Sequence, residues 1–229
     1  MGGIIGIIGA LAEEVAPYAR DMTDKTVSSR YGFNFFEGEL EGHRIVAVEC
    51  GTGKTNSSFA SAILLHQYDP AAVVVSGVCG SIDASLRVLD TVVSERVAHH
   101  DVAPYFMIHY RPFLPDVWFL ADERLLGAAR RGADGKGYGS SVRFGKIVTG
   151  EAFIEEAGRG AIIDTFDPMC VDMESACAAQ IAYCAGVPYI AVRTVTDTEE
   201  DSGVETFRLN CVRASEKSYD VVCAMLREL

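Results

Sequence analysis

Positive charge is scarce in this chain of 229 residues: 20 lysines and arginines face 32 aspartates and glutamates, a net charge of −12 with histidine neutral. That deficit argues against nonspecific binding to nucleic acid or to acidic membranes, whose phosphates such a surface repels. It leaves a small ligand in a closed pocket open. Long apolar runs are missing too, and no segment approaches the ~20 residues that span a bilayer. The opening MGGIIGII lacks a basic region and runs straight into Glu13 and Glu14, so no secretory signal is expected and the expected location is cytoplasmic. Paired cysteines are absent: Cys50, Cys79, Cys170, Cys177, Cys184, Cys211 and Cys223 contain no CxxC and sit among apolar neighbours. They read as reduced packing residues, with Cys177, Ile181 and Cys184 at i, i+4 and i+7 as a buried helix stripe. Linkers rich in Pro, Gly or Ser, low-complexity segments and internal repeats are likewise lacking, so one domain over 1–229 is expected.

What is present is alternation. Hydrophobic residues make up 49% of the chain, enough for a substantial core. Apolar or alternating runs predict strands over 4–8, 33–40, 44–50, 71–76, 91–98, 141–149 and 189–197, the second and third joined as a hairpin around Glu41-Gly42. Helical periodicity appears over 10–20, 57–68, 122–131, after Gly150, after Asp172, and over 206–229. Strands alternating with helices imply an α/β fold with a mostly parallel or mixed central sheet. The pattern fails between His99 and Phe119. That stretch holds Pro104, Pro112 and Pro115 with Tyr105, Phe106, Tyr110, Phe113, Trp118 and Phe119. An apolar loop of this length is costly to leave in water and should cover something or meet a partner subunit.

Three motifs are incomplete. Gly53-Lys54-Thr55 resembles the end of a phosphate-binding loop, but Val48 stands where its first glycine belongs. Gly6-Ile7-Ile8-Gly9 is half of a dinucleotide fingerprint and lacks the third glycine. His99, His100 and Asp101 lack the helical spacing of a zinc pair, and no further ligand set completes a site, so no metal is expected.

The acids between Pro168 and Asp197 are more informative. Asp172 and Glu174 stand where a strand gives way to a helix, and Asp197 closes the next strand. Strand ends of this kind are where open α/β sheets bind ligands. Along an extended strand Arg193, Val195 and Asp197 share a face, with Arg193 and Asp197 roughly 13 Å apart at ~3.3 Å per residue. That is about the length of a small nucleoside. Asp197 equally fits a turn or N-cap acid ahead of TEEDSG, and Glu174 an acid in the first helical turn.

Six segments carry a resemblance: GIIGALAEEV ending at Val15, ECGTGKTNSSFA at 49–60, VSGVCGSI at 75–82, VTGEAFI at 148–154, VDMESA at 171–176 and VRTVTD at 192–197. In this order the chain resembles the purine nucleoside phosphorylase/nucleosidase superfamily, most of all its 5′-methylthioadenosine/S-adenosylhomocysteine nucleosidase branch. The resemblance implies a three-layer α/β/α sandwich around a central mixed sheet. It also implies hydrolysis of an adenine nucleoside with release of adenine, no cofactor, and a homodimer. By the same resemblance Asp197 protonates the purine N7, Glu14 activates water, and Glu174 holds the ribose hydroxyls over Met173. Phe153 and Ile154 would line the base pocket, with Phe207 near the 5′ substituent and Arg193, Thr196, Val78 and Asp172 completing the substrate contacts. His109, Pro112 and Phe113 are expected to close the 5′ side of a neighbour's pocket. The chain departs from the branch pattern at Val78 and Thr196, in place of serines, at Asp172, in place of glutamate, and at Leu11, in place of methionine. The alternatives are a phosphorylase or a catalytically weak nucleoside-binding homologue. The arginine and serine with which phosphorylases bind phosphate correspond to Val75 and Val78, which favours water as nucleophile.

Overall fold

The computed structural model describes residues 2–154, 156–201 and 203–229. Its inner strands are the continuous apolar runs. β1 (Ile5–Gly9) is buried throughout, and β5 (Ala72–Ser81) in all but one position. Helices cover both faces of these strands, so they show no polar alternation. β3 (Phe33–Leu40) and β4 (His43–Glu49) form the expected antiparallel hairpin. It turns through Glu41 and Gly42 at φ of 50° and 79°, the positive values that a tight two-residue turn demands. β6 (Thr91–His99), β8 (Val142–Thr149), β9 (Cys170–Asp172) and β10 (Tyr189–Asp197) complete the predicted set. The helices are α1 (Ala12–Asp21), α2 (Lys54–Tyr68), α4 (Glu123–Gly135), α5 (Glu156–Phe166), α6 (Ser175–Ala185) and α7 (Val204–Leu226). None of them is long and apolar enough to cross a membrane, among the described residues.

Three elements escape the sequence patterns. β2 (Thr23–Arg30) is an edge strand exposed along nearly its whole length, so no buried face imposes an apolar period. α3 (Pro104–His109), which Pro104 opens, and the two-residue β7 (Phe119–Leu120) lie inside the stretch where the pattern fails. The i, i+4, i+7 stripe on α6 also differs from expectation. Cys177 is buried, but Ile181 is half-buried and Cys184 exposed, because the helix turns this edge away from the sheet.

The strands form one mixed sheet. β1 lies parallel between β4 and β5, and β4, β3 and β2 continue outward antiparallel. On the other side β5 pairs with both β10 and β9, β10 with β6, β6 with β8 and β8 with β9, so these five strands close on themselves. Two cores flank the sheet. Ala60 and Leu64 of α2 and Ala178 and Ala182 of α6 pack on one face. Val15 of α1, Leu125 of α4 and Val222 of α7 pack on the other. This is the three-layer α/β/α arrangement. Gly6 serves packing rather than a dinucleotide: a Cβ there would meet Leu64 Cδ2 at 2.6 Å, so α2 seats on β1 only because that Cβ is missing.

Candidate active site

The ends of β1, β4, β5, β8, β9 and β10 converge on one cavity of about 240 Å³. Its wall includes Leu11, Glu14, Thr52, Val78, Phe153, Ile154, Asp172, Met173, Glu174, Asp197 and Phe207. The sequence-predicted residues from both ends of the chain therefore meet. Leu11, where the branch has methionine, lines the wall, and so do Thr52 and Val204, which sequence reasoning misses because an isolated Thr or Val carries no chemical signal.

Glu14 is buried at the start of α1. One oxygen, Oε2, accepts the N–H groups of Ala10 at 2.5 Å and Leu11 at 3.1 Å, and Oε1 accepts that of Val78 at 2.8 Å. The contact with the N–H of Leu11, the residue that caps α1, closes the start of that helix, so Glu14 has a structural role there. It does not exhaust the carboxylate, which can accept about four hydrogen bonds. Burial raises its pKa, while Arg193 and the three N–H donors pull the other way.

Glu174 is the N-cap of α6 but makes no capping hydrogen bond. Its side chain turns back across the cavity floor. Oε1 accepts the N–H of Gly53 at 2.8 Å, and Oε2 lies 3.2 Å from Arg193 Nη2. The glycine loop that resembled a phosphate cradle thus holds a carboxylate of the protein itself. Gly53 has a φ of 91°, a conformation that favours glycine. Burial pushes the Glu174 carboxyl up to about 7, with Arg193 opposing and Asp172 and Glu14 adding to the rise.

Asp172 is saturated by the protein. It accepts from Thr149 Oγ1 at 2.5 Å, from the N–H groups of Glu174 and Ser175 at 3.3 and 3.2 Å, and from Ser175 Oγ, and it lies 2.8 Å from Arg193 Nε. It touches the cavity wall, but these partners make it a scaffold acid rather than the free substrate contact expected of it.

Arg193 and Thr196 differ from expectation in the same way. Arg193 is fully buried beneath the cavity and absent from its wall, with Glu14 at 3.6 Å in addition to Asp172 and Glu174. Burial works against its charge, but Asp172, Glu174 and Glu14 together hold its proton above the ordinary arginine range. The alternation that put Arg193 on the face of Asp197 also breaks down, because the β10–β5 register shifts between Val195 and Asp197. Thr196 is buried and donates towards the carbonyl of Cys79 at 3.1 Å and Asp197 Oδ1 at 2.7 Å, so it holds the acid rather than a ligand.

Asp197 is the last residue of β10. The next helix begins at Val204 behind Gly203, so Asp197 is not its cap. The carboxylate borders the cavity with Thr196 as its hydrogen-bond donor. Burial raises its pKa, with the Thr196 hydroxyl and the Arg159 charge acting against the rise. Phe153 and Phe207 stand edge to face at 6.3 Å on the same wall. His109, Pro112 and Phe113 lie elsewhere: none lines the chain's own cavity, and Tyr105, Phe106, Tyr110 and Phe113 of that segment are exposed.

Gly77 supports this arrangement from below. A Cβ at this position would overlap Glu14 Oε1 and come within 2.7 Å of Arg193 Nη1. Gly77→Ala is expected to displace the Glu14 carboxylate and lower kcat/KM by roughly 10²-fold, the cost of a ~1 Å misplacement in a reacting group. Steady-state rates on a variant shown by circular dichroism to be folded check this. A wild-type rate would mean that Glu14 tolerates displacement.

The sequence profile of the phosphorylase superfamily matches residues 4–227. A 5′-methylthioadenosine/S-adenosylhomocysteine nucleosidase of Marinomonas sp. (strain MWYL1) is 32% identical over 229 residues, covering 98% of each chain. Among solved structures, the 5′-methylthioadenosine/S-adenosylhomocysteine nucleosidase of Neisseria meningitidis in complex with methylthio-immucillin-A superposes with a TM-score of 0.91. It shares 29% identity and covers 99% of this chain and 100% of its own. The enzyme of the same description from Colwellia psychrerythraea 34H, in complex with adenine, gives a TM-score of 0.89 at 31% identity, covering 100% of this chain and 96% of its own.

Proposed function

The chain belongs to the phosphorylase superfamily, in its 5′-methylthioadenosine/S-adenosylhomocysteine nucleosidase branch, and from that membership and the acids around the cavity we propose how it works. It hydrolyses the N-glycosidic bond of 5′-methylthioadenosine, S-adenosylhomocysteine or a related adenine nucleoside and releases adenine. As the bond from C1′ to N9 breaks, the sugar gains oxocarbenium character and the electron pair moves into the base. Asp197, which burial keeps readier to hold a proton, gives that proton to N7. Water adds to C1′ and loses its proton to Glu14. Glu174 accepts hydrogen bonds from the ribose hydroxyls above Met173, Phe153 and Ile154 enclose the base, and Phe207 faces the 5′ substituent. The single domain works in the cytoplasm as a homodimer, in which His109, Pro112 and Phe113 of one subunit cover the 5′ side of the other's cavity.

The observation that carries hydrolysis over phosphorolysis is the charge of the wall. Among the described residues the cavity is lined by Glu14, Asp172, Glu174 and Asp197, and by no lysine, arginine or histidine. Arg193, the cation beneath it, is already shared by three carboxylates. Val75 and Val78 supply no group that binds phosphate. A phosphate dianion would enter a negative site without a partner, whereas water meets a buried carboxylate. Adenine release from 5′-methylthioadenosine is therefore expected at the same rate with and without inorganic phosphate. Strict dependence on phosphate would overturn the hydrolase reading, and tight binding without turnover would favour a nucleoside-binding protein.

A further inference from the structure

Behind Gly77 runs a line of buried hydroxyls drawn from three elements. Thr91 on β6, Thr194 on β10 and Ser218 on α7 are all fully buried. Ser218 Oγ lies 2.6 Å from the carbonyl oxygen of Gly77, Thr194 Oγ1 lies 2.8 Å from Ser218 Oγ, and Thr91 Oγ1 lies 2.9 Å from Thr194 Oγ1. Counting protons gives the line a direction. A carbonyl can only accept, so the single Ser218 hydroxyl proton goes to Gly77. Ser218 must then accept from Thr194, and Thr194 from Thr91. At the far end of the same peptide unit, the Val78 N–H donates to Glu14 Oε1 at 2.8 Å. A trans peptide points its C=O and its N–H in opposite directions, so Ser218 holding the first aims the second. Hydrogen bonds in such a chain also polarise one another, each donor strengthened by the one behind it. All three hydroxyls lie outside the cavity wall, so they are not substrate contacts.

We propose that Thr91, Thr194 and Ser218 are positioning residues for the water-activating base, a one-way hydroxyl chain that aims and polarises the Gly77–Val78 peptide against Glu14. The inference rests on the reading of Glu14 as that base. A carboxylate that accepts an N–H holds its proton less tightly, and the Val78 N–H acts in this sense against the effect of burial. A base must be ionised to take a proton from water, so a stronger donor at Oε1 keeps Glu14 ready at lower pH. Among the described residues the titratable groups facing Glu14 are Arg193 on β10, Glu174 ahead of α6, Cys50 after β4, Tyr18 on α1 and Cys211 on α7. Substituting a hydroxyl of the chain leaves all five in place.

The test is a ¹³C NMR titration of the Glu14 carboxyl in wild type, Ser218→Ala, Thr194→Val and Thr194→Ser, with the pH profile of kcat/KM for adenine release measured alongside. Ser218→Ala removes one oxygen, and Thr194→Val keeps the side-chain shape without the hydroxyl. Both should move the Glu14 midpoint to higher pH, Ser218→Ala further, because it breaks the chain at the peptide itself. The acidic limb of the profile should follow, with kcat/KM on that limb falling roughly 5-fold in Ser218→Ala, about what one neutral hydrogen bond is worth. The basic limb, which belongs to Asp197, should stay. Thr194→Ser retains the hydroxyl and should keep the midpoint near that of wild type. If the chain only fastens α7 to the sheet, the variants will lose thermal stability while the Glu14 midpoint stays in place, and that result overturns the proposal. A midpoint in Thr194→Ser equal to that in Thr194→Val overturns it as well, and this pair decides the matter even if Ser218→Ala does not fold. Midpoints that move as expected while the acidic limb stays still would uphold the coupling and overturn the role of Glu14 as the base.

Discussion

Asp197→Asn is expected to leave a folded protein whose kcat for adenine release falls by roughly 10²–10⁴-fold, the usual contribution of a positioned general acid. Asparagine matches aspartate in shape, and its carbonyl can still accept the Thr196 hydroxyl that holds the native carboxylate. What it lacks is a proton to give to N7, so electrons leaving the glycosidic bond collect on an uncompensated base. Stability should move the other way. Burial raises the Asp197 pKa in the folded protein, so the folded state binds that proton more tightly than the unfolded chain does. The resulting stabilisation is complete below the unfolded carboxylate value and is lost as pH rises through the folded one. At pH 8 the native acid is a liability, and the thermal midpoint of Asp197→Asn should equal or exceed that of wild type. Product chromatography and thermal unfolding at pH 5 and pH 8 check both halves. A near-normal rate in the folded variant would remove Asp197 from the chemistry.

Much of the fold could be read from the sequence because the buried strands announce themselves. A run such as AVVVS has no other economical place in a folded chain, and Glu41-Gly42 between two alternating runs dictates a tight turn. β2 could not be read, because an edge strand facing water is free of the pressure that creates a pattern. At the site, the acids at strand ends were visible as Asp172, Glu174 and Asp197, but their division of labour was not. Asp172 and Glu174 are two residues apart and chemically alike. Only folding shows that five protein contacts occupy the first, while the second caps nothing and faces the cavity. Arg193 shows the limit of period-two reasoning: the register shift near Asp197 puts it under the site rather than in it. The loop at 51–54 lacks the first glycine of a phosphate site, yet it does bind an anion, the carboxylate of Glu174, which lies more than a hundred residues later in the chain. Long-range pairings of that kind leave no mark on local spacing.

Arg193→Met should damage the fold as well as the chemistry. The native guanidinium is fully buried and lies 2.8 Å from Asp172, 3.2 Å from Glu174 and 3.6 Å from Glu14. Methionine fills part of the same volume but leaves three carboxylates facing one another away from water. Removing one member of a buried ion pair commonly costs about 3–5 kcal/mol, because the remaining charge is left uncompensated. The pH dependence follows from the carboxyls left behind. Burial already raises Glu14 and brings Glu174 to about 7 in the native protein, with Arg193 opposing both rises. Without the arginine both acids should hold their protons to higher pH still. A carboxyl with a raised folded pKa contributes stability at low pH and loses it as pH climbs, so the deficit of the variant should be largest near pH 8 and shrink towards pH 5. Chemical denaturation at the two values reads this directly, and a variant within about 1 kcal/mol of wild type at pH 8, well below the usual cost of breaking a buried pair, would mean that the acids are not held by this ion pair. The expected outcome gives Arg193 one task with two consequences. By gathering Asp172, Glu174 and Glu14 around a single cation, the fold makes it possible to bury three acids together, and so brings to one small cavity the two carboxylates we propose to bind the sugar and to activate water.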